Sequence, residues 1–288
     1  MVKSWALAGK LRHAICLPSG RAYCKLVLIG WEVSSGHERS CEKPNRPVAP
    51  AQTRPVAIWR VQMSVSQLQS WPVTIPAGRV DLAGDLTVPP AARGLVIFAH
   101  GSGSSRRSPR NQSVARHLQS AGLSTLLFDL LTEEEERLEY HTRQLRFDIP
   151  LLGERLVNAT RWAGSQTSVR GLSIGYFGAS TGAAAALVAA AGLPDRIGAV
   201  VSRGGRPDLA GKALPEVKAA TLLIVGGHDT PVIELNEQAH AALRCEKRLI
   251  IIPRATHLFE EPGTLERVAH LAAEWFLEQL APSKIFQP

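Results

Sequence analysis

One pentapeptide restricts this chain more than any other: Gly178-Ala179-Ser180-Thr181-Gly182, between the apolar run 172–177 and the small-residue run 183–191. Strand, tight turn, helix is the context that a G-x-S-x-G nucleophile elbow requires. A serine there sits on a strained turn, with its hydroxyl held out over the end of a sheet. The positions two before and two after it come so close to the turn that glycine is needed at both. The alanines at 183 to 186 let the following helix lie near the sheet. Taken alone, the pentapeptide is better read as a glycine-rich turn that contains a serine by chance. Two further features reverse that choice.

The first lies upstream. Leu95-Val96-Ile97-Phe98-Ala99 is a continuous apolar run, as in a buried parallel strand, and it ends in His100-Gly101-Ser102-Gly103-Ser104-Ser105. A glycine-rich loop at a strand's C-terminal end leaves backbone N–H groups free to converge on one point. In acyl transfer that point is where the tetrahedral oxyanion develops. The elbow offers the N–H of Thr181 and the loop that of Ser102, with Gly103 as the second choice. A phosphate-binding loop does not fit, because no Gly-Lys-Ser/Thr end follows and no third glycine completes a dinucleotide fingerprint. His100 reads as a structural residue of the turn.

The second feature is the order of acid and base. The strand-like run 221–225 leads into Gly226-Gly227-His228-Asp229, and the run 249–252 leads into Pro253-Arg254-Ala255-Thr256-His257. The chain therefore runs Ser180, Asp229, His257, each just past a strand's C-terminal end. That is the chain order of the α/β-hydrolase triad, and parallel strands present those ends on one side of the sheet. Serine needs a base, histidine titrates near neutrality, and a carboxylate fixes the imidazole's tautomer. Asp208, after the run 197–202, is the rival acid. Asp129 reads as a loop-stabilising residue. His117, His240 and His270 fall on amphipathic helical patterns, and His228 reads as a helper or surface residue.

The formal charge of +8 suggests an anionic partner until it is located. Residues 1–62 hold 10 Lys/Arg against 3 Asp/Glu, a net of +7, so residues 63–288 carry +1. A nucleic-acid role for the whole chain loses its main support. Cys16, Cys24 and Cys41 lie in the same segment, and no C-x-x-C or Cys/His metal spacing occurs. Neither a disulfide framework nor a metal or organic cofactor is expected, and a cytoplasmic setting is the default. No apolar run is long enough to span a membrane. Residues 1–65, with Pro44, Pro47, Pro50 and Pro55, read as a poorly ordered basic extension and linker. Residues 66–288 read as one domain. Runs 71–75 and 80–88 suggest a leading antiparallel pair, followed by alternating strands and helices and hence a mostly parallel sheet. Asp148 is expected to cap a helix reaching residue 162, and a final helix is expected over about 264–280.

Residues from about 70 to 282 resemble an α/β-hydrolase, and within it the dienelactone hydrolase-like branch. The residues that carry this are His100–Ser105, Ser108-Pro109-Arg110-Asn111, the elbow, Gly226-Gly227-His228-Asp229 and Ala255-Thr256-His257. The resemblance implies a central sheet flanked by helices with little or no lid. Dienelactone hydrolases use a cysteine nucleophile where this chain has Ser180. The implied activity is accordingly that of a serine esterase acting on a small ester or lactone. Ser180 would attack, His257 would act as base, Asp229 would orient it, and Ser102 and Thr181 would hold the oxyanion. An acyltransferase with the same triad and a non-catalytic binding module are the alternatives. The sequence leaves the oligomeric state open. Of Arg106, Arg107, Arg110, Arg203 and Arg206, most are expected to be solvated or paired with loop carboxylates. A lesser reading gives one of them a substrate carboxylate or phosphate.

Overall fold

The computed structural model describes residues 68–281. The expectations for residues 1–65 lie outside them. Eight strands form one sheet in the order β1-β2-β4-β3-β5-β6-β7-β8. β1 (Gln69–Ala77) and β2 (Val80–Val88) are an antiparallel hairpin, and β2 also runs antiparallel to β4 (Ser124–Phe128). All other pairs are parallel: β3 (Leu95–Ala99), β5 (Ile174–Ala179), β6 (Ile197–Arg203), β7 (Ala220–Gly226) and β8 (Lys247–Ile252). The sheet is thus mostly parallel, as the strand–helix alternation predicts. β1, at one edge, contains Pro72 and Pro76, whose missing N–H groups are tolerated on an edge strand.

The continuous apolar character of the central strands follows from burial on both faces. In β3, Leu95, Ile97 and Ala99 enter one core, while Val96 and Phe98 enter the other. The first core is completed by α3 (Ile149–Ser165), α4 (Thr181–Gly192) and α5 (Thr230–Ala242). The second is completed by α1 (Pro109–Ser120) and α6 (Thr264–Gln279). Local signals set the helix starts. Ser108 accepts from the Asn111 N–H before α1, and Asp148 accepts from the Leu151 N–H before α3. Between β4 and α3 the chain makes only α2 (Glu133–Thr142) and a single 3₁₀ turn, Leu145–Phe147. Thr132 and Glu135 form a capping box at the start of α2. Among the described residues no helix is long and apolar enough to cross a membrane.

The approach of α4 to the sheet is extreme. A Cβ on Gly182 would lie 2.2 Å from the Ala99 carbonyl oxygen and 2.5 Å from that of His100. A Cβ on Gly178 would lie 2.5 Å from the Ala183 Cα. Real side chains do not sit that close to backbone, so glycine at both positions is a steric requirement of the elbow. Gly182→Ala is expected to cost about 3 kcal/mol or more, as forced overpacking does. For a domain this size that is about 6–12 °C of thermal midpoint. Gly192→Ala, at a position with nothing within 4 Å, is the control and should leave the midpoint unchanged or slightly raised. Circular dichroism melts of the two variants check the contrast.

Candidate active site

Ser180 stands between β5 and α4 with φ 50° and ψ −123°. A residue with a side chain pays for positive φ and holds it only where the surroundings impose it. Here three backbone bonds do so. The Ser180 N–H donates to the Arg203 carbonyl at 3.3 Å. Its own carbonyl accepts from the N–H groups of Ala183 at 3.1 Å and Arg206 at 3.0 Å. The strand carrying the serine is thereby locked to the end of β6. The loop after β3 presses on the same residue, since a Cβ on Gly101 would come within 2.9 Å of the Ser180 Cβ.

The loops after β7 and β8 are joined by their own backbone. The Gly227 N–H donates to the Ile252 carbonyl and the His228 N–H to that of Ala255, at 2.8 and 2.9 Å. Gly226 permits this, because a Cβ there would lie 2.5 Å from the Ala255 oxygen. The result sets Asp229 against His257, whose Nδ1–H donates to Asp229 Oδ2 at 2.6 Å. An ionised carboxylate can only accept, so Nδ1 carries the proton and Nε2 is left as the basic nitrogen. The Asp229 side chain is 14% exposed and that of His257 37%, so the pair is shielded on the Asp229 side and open on the His257 side. Gly204 brings the histidine loop to the serine's neighbour. Its φ is 49°, and a Cβ on it would lie 2.9 Å from the His257 carbonyl and 3.6 Å from its Nδ1. The Ser180 hydroxyl makes no hydrogen bond among the described residues. The structure therefore joins Asp229 and His257 directly, with no bond between Ser180 and His257.

The other candidates fall into place around this pair. Asp208 is engaged by Arg206, which donates to its two oxygens at 2.9 and 2.8 Å. Asp129 accepts from the Arg106 N–H at 2.7 Å and from the Arg106 guanidinium, a loop-fixing role. His100 is buried. Its Nε2 accepts from the Leu130 N–H at 2.9 Å and its Nδ1–H donates to the Gly101 carbonyl at 3.0 Å. Burial pushes its pKa down, which keeps it neutral and structural. His228 is exposed.

The oxyanion candidates differ from the simple expectation. The Ser102 N–H is not free: it donates to the Thr181 hydroxyl at 3.1 Å. The two side-chain oxygens lie 3.0 Å apart, and the Ser102 hydroxyl donates to the Arg146 carbonyl at 3.3 Å. Gly103 has φ 66°, and its N–H meets no acceptor among the described residues. Nor does the N–H of Thr181, the first residue of α4. Arg146 is itself clamped by Glu139, which accepts from the Arg146 Nε at 2.6 Å and from the backbone N–H groups of Leu145 and Arg146. Sequence reasoning missed this clamp, and only the crowding of charge over 133–146 hinted at it. A small pocket of about 10 Å³ adjoins the loop, lined by Ser102, Gly103, Leu131, Glu136, Arg146 and Thr181 among others. Burial raises the Glu136 carboxyl. A much larger hollow, about 740 Å³, lies at the opposite end of the sheet beside the starts of β5 and β6, away from these groups. Among the described residues no group of three His, Cys, Asp or Glu is placed to hold a metal.

No family model matches this sequence. The crystal structure of the dienelactone hydrolase from Anabaena variabilis ATCC 29413 is 61% identical. The match covers 74% of this chain and 99% of that one, with a TM-score of 0.73. The chain belongs to the dienelactone hydrolase family. Est1E from Butyrivibrio proteoclasticus shares the α/β-hydrolase fold at 18% identity and a TM-score of 0.61, covering 72% of this chain and 98% of that one. Curated relatives from two strains of Mycobacterium tuberculosis are 58% identical over 208 residues, 72% of this chain. They are provisionally named phosphoribosyl transferases, and the match spans 46% of their length. This dienelactone hydrolase-family chain thus spans about half the length of the curated relatives it matches.

The Glu139 clamp has a pH signature. Burial pushes its carboxyl up, but hydrogen bonds from Arg146 and Leu145 outweigh that and hold it at about 2. A depressed carboxylate stabilises the fold fully above its ordinary value of 4.5, and that stabilisation is lost as pH falls toward about 2. Glu139→Gln is expected to lower the thermal midpoint at pH 7 and to flatten its decline between these two pH values. Melting curves across that range check both.

Proposed function

We propose that this chain is a serine hydrolase that cleaves a carboxylic ester or lactone of a small molecule through an acyl-enzyme. The observation that carries the reading is the Asp229–His257 contact at 2.6 Å, beside a serine held at positive φ on the elbow. His257 Nε2 accepts the Ser180 proton as the serine oxygen bonds to the substrate carbonyl carbon. Asp229 holds the ring in the tautomer that makes this possible and stabilises the imidazolium. The carbonyl oxygen becomes an oxyanion and is met by the free N–H of Thr181, with the N–H of Ser102 as second donor. Ser102 gives up or shares its bond to the Thr181 hydroxyl at that moment. His257 then returns the proton to the departing alcohol oxygen as the ester bond breaks. Water, deprotonated by the same nitrogen, attacks the acyl carbon, and Ser180 leaves with the proton to give the acid.

The Anabaena relative, a dienelactone hydrolase at 61% identity, supports hydrolysis of a small ester or lactone. The reading includes a cytoplasmic setting, with Cys245 as a free thiol. Water as the acyl acceptor separates this reading from acyl transfer. Adding alcohol or thiol acceptors to an activated-ester assay should leave the acid as the product.

Ser180→Ala should abolish fluorophosphonate labelling and lower p-nitrophenyl acetate turnover by about 10³-fold or more. Labelling at another residue with normal turnover would exclude Ser180 as nucleophile. Asp229→Asn should fold normally and lose most activity, whereas Asp208→Asn should keep most of it. The opposite ranking would move the acid to the end of β6.

A further inference from the structure

Arg203 is the last residue of β6, and its carbonyl is the acceptor for the Ser180 N–H. The residue is only 6% exposed. A guanidinium carries five N–H donors and no acceptor. Among the described residues one of the five is met, by Asn111 Oδ1 at the long distance of 3.5 Å. Its Nε is buried without a partner. The Phe259 ring lies 5.9 Å from its Cζ, a cation–π contact that supplies no hydrogen bond. Four other arginines have carboxylates: Arg106 has Asp129 and Asp85, Arg146 has Glu139, Arg155 has Glu135 and Arg206 has Asp208. Arg203 faces a second cation instead. Burial, and then the charge of Arg110, push its pKa down to about 10. The Nε of Arg110 is also buried and unpartnered, and only its Nη1 reaches out to the exposed Glu260.

A buried charge without a counter-ion is costly, and folded proteins pair such groups or bind something that does. The position has further anion-binding character. Arg110 and Asn111 belong to the first turn of α1, whose positive end points toward this region. Arg110 reaches Glu260 through Nη1 alone and Arg203 has no carboxylate, so the unpartnered donors of the two guanidiniums suit the several oxygens of a phosphate group better than the two of a carboxylate.

We propose that Arg203 and Arg110, with Asn111, form an anion subsite that takes a phosphate group of the substrate beside Ser180. The subsite rests on the hydrolase reading above and narrows its substrate to a phosphate-bearing ester.

Calorimetric titration of the full chain with inorganic phosphate, acetate and chloride at matched ionic strength tests it. Phosphate should bind at least about tenfold more tightly than acetate or chloride. Arg203→Met and Arg110→Gln should each weaken phosphate binding by about tenfold or more. Arg203→Lys keeps the charge and loses the fork, so it should fall between wild type and Arg203→Met, and it serves if the Met variant folds poorly. In the kinetic arm, 4-acetoxyphenyl phosphate should show a KM about tenfold below that of phenyl acetate, and Arg203→Met should erase the difference. Absent phosphate binding, unchanged binding in Arg203→Met, or acetate bound as tightly as phosphate overturns the subsite. Phosphate binding lost in both variants with neither ester hydrolysed keeps the subsite and overturns the hydrolase reading. Both esters hydrolysed at equal KM without phosphate binding does the reverse.

Discussion

The backbone at Ser180 is held in a conformation that it would leave if released, and most of the surrounding structure is what holds it. The restraint is steric on one side and hydrogen-bonded on the other. Gly178, Gly182 and Gly101 let three chain segments come closer to the elbow than any side chain would allow. The Arg203 carbonyl and the Arg206 N–H then fasten it to the next strand. The serine's position is consequently a property of four segments, from β3 to the end of β6.

Asp229 and His257, the proposed acid and base, are brought together by a different device. Their loops are joined backbone to backbone, with Gly226 as the point of closest approach. The imidazole's orientation then follows from one short bond to Asp229, and Gly204 packs the histidine's main chain against the end of β6. Backbone contacts of this kind tolerate little change at the glycines and much at neighbouring exposed side chains.

The features legible in the sequence share one property: each depends on residues close together in the chain. Apolar runs marked the parallel strands, Ser108 and Asp148 marked helix starts, and G-x-S-x-G marked the elbow. Asp229 stood out over Asp208 because glycines and a helix start surround it, and the structure gives Asp208 to Arg206. The unreadable features are pairings between distant side chains. Nothing in the local pattern says that the Thr181 hydroxyl takes the Ser102 N–H, 79 positions away. Nor does it say that the Glu139 carboxylate fixes Arg146, whose carbonyl then holds Ser102. Arg203 looked like the other strand-end arginines until its surroundings showed no carboxylate.

The two prolines of β1 have an effect beyond their own strand. Pro72 and Pro76 pair with Asp85 and Asp81 of β2, so their nitrogens face away from the ladder. A further strand laid along that side would find two donors missing, and the sheet is discouraged from growing there. β8, at the other edge, has no proline, and Ile251 is exposed on it. The charges at its start are turned to other tasks: Lys247 donates to the His240 and Leu243 carbonyls and Arg248 lies over the Trp275 ring. Among the described residues the sheet thus has one edge short of two backbone donors and one edge that keeps them. Among the described residues, the edge that keeps its backbone donors is the one beside the Asp229 and His257 loops.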